Sequence, residues 1–254
     1  MIWDQLTSSQ IAATDRNIPV ILPLTATEQH GPHLPLATDR MIAEHFIYSL
    51  NAEMNDKILV LPSIYVGCSH HHIDFAGTLS LDHTTFLAIV KNMVRAVLHH
   101  GFHKIILFNS HGGNQGIMTV IMEQLGFENA HAHFFAATWW AMAREALMQV
   151  SETGRGGTGH ACEFETSLML LIAEKLVDKA KIEPGANAPT FEWAEGDMLY
   201  GSAASYFRMI KTMTPNGIYG DPTKASAEKG RKITDCVLRS LKQMVTDIYK
   251  MNTT

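Results

Sequence analysis

The run from Ile18 to Leu24 contains only apolar residues and proline. So continuous a run, rich in Val, Ile and Leu, reads as a strand buried on both faces, and such strands belong to parallel sheets. Gly31, Pro32 and Pro35 then make a helix improbable, so Leu24 to Asp39 should be a stiff, extended loop at the strand's carboxyl end. Helical spacing takes over from Met41 to Leu50. In open α/β sheets ligands bind at this end of the strands.

The same alternation continues along the chain. Strands are expected at Ile58–Leu61, Ile105–Phe108 and His131–Ala137. Helices are expected at Phe86–Leu98, Ile117–Leu125 (with Gly126 past its end), Trp139–Val150, Ala161–Leu176 and Ala225–Tyr249. Residues 184–222 read as irregular. Without repeats or linkers, the 254 residues are expected to form one α/β domain, a mostly parallel sheet with helices on both faces.

The first loop carries Glu28 and His30, two residues apart and therefore on one side of an extended backbone, followed by Asp39. Two carboxylates and an imidazole on a rigid loop suit a divalent ion of the zinc, manganese or iron type. Two plainer readings stand beside this one. Asp39 would serve as a helix N-cap, and Glu28 with His30 would be a solvated pair.

His111 follows the Ile105–Phe108 strand as Glu28 follows the first, so two strands can deliver ligands to one sheet edge. Gly112 and Gly113 permit positive φ and close backbone approach, and Asn109 and Asn114 are placed to orient ligands. The plainer reading is a tight turn with His111 exposed. A third cluster is Gly159-His160-Ala161-Cys162-Glu163-Phe164-Glu165. On a helix starting at Ala161, His160 and Glu163 would share a face while Glu165 pointed elsewhere. Glu163 would otherwise be favourable charge at a helix N-terminus. Cys162 reads as a small buried residue. Of His70, His71 and His72, at most two can line one site. His99 and His100 read as surface residues at a helix end, and His131 and His133 as structural.

The formal charge of −5 argues against nucleic acid or an anionic membrane surface as partner. Three cysteines without disulfide or zinc-finger spacing point to a reducing compartment. With no signal-like start and no stretch long enough to span a bilayer, a cytoplasmic protein is expected.

Taken together, Thr27 to Asp39, Phe75 to Ser80, Ser110 to Asn114 and His160 to Ser167 resemble the creatininase (creatinine amidohydrolase) family in content and order. The resemblance implies a three-layer α/β/α fold, one or two divalent metal ions, hydrolysis of a carbon–nitrogen amide bond of a small molecule, and a homo-oligomer, often a hexamer. It implies that Glu28, Asp39 and His111 hold one ion and that His30, a bridging Asp39 and Glu163 hold the other. His72, Thr78, Gly112 and Gly113 would shape the substrate pocket.

Creatininase itself has Tyr and Glu where this chain has Gly112 and Gly113, and that Glu binds its second metal. The difference argues against creatinine as substrate. The Gly-Gly form is similar to members that remove formyl groups from formamidopyrimidines or trim peptide precursors of redox cofactors. The expected chemistry is attack by a metal-activated water, with His160 passing a proton to the leaving nitrogen. Hydrolysis of a keto-sugar or lactone-like carbonyl compound is the alternative, with metal or ligand binding without turnover a further one.

Overall fold

The computed structural model describes residues 1–251. In chain order the elements are α1 (Ser8–Ala13), β1 (Val20–Leu24), α2 (Thr38–Met54), β2 (Leu59–Val60), α3 (His83–His99), β3 (Lys104–Asn109), α4 (Gln115–Glu128) and β4 (His133–Thr138). They continue as α5 (Trp139–Met142), α6 (Arg144–Met148), β5 (Thr158–His160), α7 (Glu163–Ile172), α8 (Ile210–Met213), β6 (Tyr219–Gly220) and α9 (Ala227–Lys250).

The central sheet has the order β2-β1-β3-β4, and every pairing is parallel. Alternation along the strands divides the core into two layers. Val20, Leu22, Leu24, Ile105 and Leu107 meet Phe86, Val90 and Val94 of α3 and Ile121 and Leu125 of α4. Ile21, Ile106 and Phe108 point the other way, to Phe46 of α2, Phe164 and Leu168 of α7, and Val237 and Leu241 of α9. Since both faces are covered, β1 and β3 are buried throughout, which is why they read as unbroken apolar runs. The result is the expected three-layer α/β/α fold.

The sheet order also fixes where a site can form. From β1 the chain moves to β2 on one side, then crosses to β3 on the other, so the strand order reverses between β1 and β3. Loops leaving their carboxyl ends diverge and open a crevice. The Glu28 loop follows β1 and His111 follows β3.

Several boundaries differ from the sequence reading. Helix α4 runs through Gly126 to Glu128. The stretch from Trp139 to Val150 is two short helices broken at Ala143. Helix α7 starts at Glu163, not Ala161, and ends at Ile172. Within the irregular stretch, β6 pairs antiparallel with β5, His160 opposite Tyr219, forming a second small sheet beside the crevice. No helix among the described residues is long and apolar enough to cross a membrane.

Candidate metal centre

The loop after β1 is held in place before any ligand is considered. The Thr25 hydroxyl donates to the Ile64 carbonyl at 2.7 Å, and the Glu28 amide donates to the Leu36 carbonyl at 3.1 Å. Ser110 Oγ donates to the Asp39 carbonyl at 2.6 Å, tying α2 to the end of β3. Asp39 lies in the first turn of α2 while Ala37 is the N-cap, so its carboxylate is not spent on capping.

These restraints gather Glu28, His30, Asp39, His72, His111, His160 and Glu165 around one point. The first six positions were candidates from sequence. His111 Nδ1 lies 3.2 Å from Glu28 Oε1 and 3.2 Å from Asp39 Oδ2. His30 Nε2 lies 3.3 Å from Asp39 Oδ1 and 3.7 Å from Glu165 Oε1. Asp39 therefore presents one oxygen to each of two donor groups. His72 Nε2 and His160 Nδ1 approach Glu28 Oε1 at 3.4 and 3.8 Å.

The far nitrogens of His30, His111 and His160 face backbone carbonyls, which can only accept. His30 Nδ1–H donates to the Glu28 carbonyl (3.1 Å), His111 Nε2–H to the Cys68 carbonyl (3.2 Å), and His160 Nε2–H to the Gln29 carbonyl (2.7 Å). In the neutral rings the inward nitrogens are then bare lone pairs aimed at carboxylates, which offer more lone pairs. Such a set has no proton to share and calls for a cation. Consistently, Glu28 Oε2, His30 Nε2 and Asp39 Oδ2 are buried with no hydrogen-bond partner. Three buried carboxylates without a lysine or arginine among them would otherwise be prohibitively costly.

Without a cation, protons on the two inner imidazoles answer the same demand for positive charge. Burial opposes charge on His111, yet Glu28 and Asp39 raise it to about 10. Burial likewise opposes charge on His30, but Asp39 and Glu165 raise it well above the usual imidazole range. Burial would raise the Asp39 carboxyl, but His30 and His111 hold it below the carboxylate range. His160, by contrast, is pushed down to about 3 by burial and by neighbouring His30. The carboxylates thus draw positive charge to the two inner imidazoles and leave the outer one neutral.

One expectation needs correcting. Glu163 does not face the cluster. Its carboxylate accepts from the Glu152 amide (2.9 Å), the Thr153 amide (3.1 Å) and the hydroxyls of Ser151 and Thr153, and it pairs with Lys229 Nζ. Glu165 occupies the expected place, and the cause is backbone. His160 ends β5, and Ala161 turns the chain in the left-handed region at φ 50° before α7 begins. The helical-face argument therefore does not apply. Glu165, at the third position of the helix, reaches back to accept from the Ala161 amide through Oε2, leaving Oε1 toward His30.

The remaining candidates separate. His72 and Gly112 line the cleft. Thr78 does not; its Oγ1 accepts from the Gln29 amide at 3.2 Å, so it supports the metal-facing loop. Gly112 and Gly113 do not use positive φ. A Cβ on Gly113 would come 2.1 Å from the Cys68 carbonyl oxygen and 2.5 Å from His111 Nε2, so close approach is what that position requires. Asn109 holds both the amide and the carbonyl of His111 through its side chain, and Asn114 joins the Cys68 amide to the Thr25 carbonyl. Cys162 is fully buried and unpaired, as expected of a small core residue.

Gln29 escaped notice in the sequence because alternation turns it away from Glu28 and His30. Its Nε2 donates to His72 Nδ1 at 2.8 Å, which leaves His72 Nε2–H to face Glu28. Trp140, Gln115 and Tyr219 complete a cleft of about 380 Å³. Nothing local marks them, because they come from three separate segments.

A family model described as creatininase, creatinine amidohydrolase, matches residues 4–245. The mycofactocin precursor peptide peptidase of Mycobacterium ulcerans (strain Agy99) is 32% identical over 245 residues, 92% of this chain and 88% of that protein. The 3-dehydro-scyllo-inosose hydrolase of Thermotoga maritima is 26% identical over 243 residues, 91% of this chain and 78% of that protein. A manganese form of creatininase superposes with a TM-score of 0.81 at 22% identity, covering 98% of this chain and 99% of its own.

Proposed function

The chain belongs to the creatininase family, and from that premise we propose that it is a metal-dependent hydrolase of an amide-type carbon–nitrogen bond. The observation that carries this reading is the pair of donor groups sharing Asp39, each with an imidazole lone pair directed inward by a backbone carbonyl. Glu28, Asp39 and His111 would hold one divalent ion, and His30, Asp39 and Glu165 a second. Glu165 supplies the carboxylate that Gly113 does not carry. Zinc, manganese and iron(II) all suit such a mixture of nitrogen and oxygen ligands.

When bound, the metal supplies a water of lowered pKa and polarises the carbonyl under attack. The protein does the rest. His72, fixed by Gln29, donates its Nε2–H toward Glu28 and steadies that carboxylate. His160 is the most exposed of the four imidazoles, at 13%. Its Nε2–H is committed to the Gln29 carbonyl, so Nδ1, unprotonated at rest, is left to take up the proton released by the attacking water and pass it to the departing nitrogen. Gly112 keeps the entrance beside His111 free of side chain.

The relative that acts on a peptide and the formamide-type members of the family make peptides and N-formyl amines the first substrates to try. Protein loaded in turn with Zn²⁺, Mn²⁺ or Fe²⁺ should hydrolyse at least one such amide and lose that activity on chelation. A second reading, hydrolysis of a keto-sugar, is supported by the likeness to the inosose hydrolase. Product analysis separates them, since only the first releases an amine.

A further inference from the structure

Among the described residues, Arg208 is the one lysine or arginine that lines the cleft. It is half-buried, and among the described residues no carboxylate pairs with it. Its Nη1 reaches the Pro189 carbonyl only at 3.5 Å, and its guanidinium carbon lies 5.7 Å from the Tyr206 ring. A guanidinium has five N–H donors, so nearly all of this one's capacity is unspent. Tyr206 is itself braced by Phe191 and Trp193, with ring centroids at 6.0 and 6.3 Å, so the wall beneath Arg208 is a packed aromatic shelf.

The acids of the same cleft are all engaged elsewhere. Glu28, Asp39 and Glu165 belong to the candidate metal centre. Asp197 Oδ1 accepts from the Leu199 and Tyr200 amides, both at 2.8 Å, and its Oδ2 accepts from the Gly156 amide at 2.6 Å. Among the described residues, no carboxylate therefore pairs with Arg208. It also stands near the reacting end. Tyr219 pairs with His160 across β5 and β6 and lines the cleft, and the Arg208 charge offsets part of the rise that burial imposes on the Tyr219 phenol.

We infer that Arg208 marks an anion subsite, and that the substrate is an amide bearing a carboxylate or phosphate beyond the bond that is cleaved. The inference deepens the hydrolase reading and rests on it for the position of the scissile bond. A planar guanidinium on a half-buried wall binds either oxyanion through paired N–H donors. An anionic tail held at Arg208 leaves the carbonyl end of the amide to meet the metal centre at the other end of the cleft.

Matched pairs of compounds test this directly. N-formylglycine and N-formyl-4-aminobutyrate are compared with their carboxamides, and N-formyl-O-phosphoethanolamine with N-formylethanolamine. Binding to the metal-loaded protein is measured by calorimetry, and turnover by release of formate. At least one acid should bind roughly tenfold to a hundredfold more tightly than its neutral partner, the scale of one charged hydrogen-bonded contact. The arm that shows the preference distinguishes carboxylate from phosphate. Arg208→Gln should abolish the preference with the neutral compounds unchanged, and Arg208→Lys should keep part of it. Tight, Arg208-dependent binding of an acid that is not hydrolysed would retain the subsite and count against the amidase reading. Equal binding of every acid and its neutral partner, or a preference that survives Arg208→Gln, would overturn the inference.

Discussion

Glu163 and Glu165 stand two residues apart in the first turn of α7, both buried, yet their carboxylates face opposite environments. Glu163 is surrounded by donors: two backbone amides, two hydroxyls and the Lys229 ammonium. Glu165 receives one backbone amide and otherwise faces His30 Nε2, which offers a lone pair to a bound cation or, without one, a proton to the carboxylates around it. A buried carboxylate saturated by donors is a fastener, here pinning residues 151–153 to α7 and α9. One aimed at other acceptors has unmet demand for a cation. The lesson is that partner chemistry, more than burial or sequence position, separates a structural acid from a ligand.

The sharpest way to break this contrast is to neutralise each acid in turn. Glu165→Gln should lower metal affinity at least a hundredfold and abolish metal-dependent hydrolysis, as should Asp39→Asn, while Glu163→Gln should keep its metal. Metal content after gel filtration decides the matter. Retention by the Glu165 variant and loss by the Glu163 variant would assign the ligand role to Glu163 and the fastener role to Glu165.

Across the Ala161 turn, His160→Asn should retain metal and lose roughly two to four orders of magnitude in turnover, the scale for removing a general acid. An activated amide whose leaving group needs no proton should recover most of that loss. Metal depletion in this variant would move His160 into the ligand set.

The fastener side should answer in stability. Lys229→Met strands Glu163 as an unpaired buried charge and should cost about 3–5 kcal/mol, read as a lower urea midpoint with unchanged slope. Metal binding per folded molecule should not change.

The smallest effect concerns His33, beneath the first loop, whose Nε2 lies 2.8 Å from Thr166 Oγ1. Burial, and then the nearby His30, hold its pKa down at about 4. The unfolded chain therefore takes up this proton first. The stability contributed by neutral His33 is complete above about pH 6.5 and is lost as pH falls toward 4. Metal-free His33→Gln should show a shallower decline of the urea midpoint between pH 6.5 and 4.5 than the parent protein.

The first half of the site was readable because its logic is local. An apolar run that can only be a doubly buried strand, followed by prolines that forbid a helix, places Glu28 and His30 at a sheet edge, and the same reasoning places His111 after β3. Periods of two and 3.6 residues, with glycine and proline as breaks, carry that much. Tertiary structure decided the other half. Alanine carries no sequence mark of a left-handed conformation, so the turn at Ala161 that brings Glu165 in and leaves Glu163 to Lys229 could not be foreseen. Nor could the choice between Thr78 as pocket wall and Thr78 as support, or the meeting of Trp140, Arg208 and Tyr219 in one cleft. Those outcomes depend on which distant segments pack together. Sequence periodicity describes which side of an element faces the core, whereas the partner it meets there is fixed only by the packing of the whole chain.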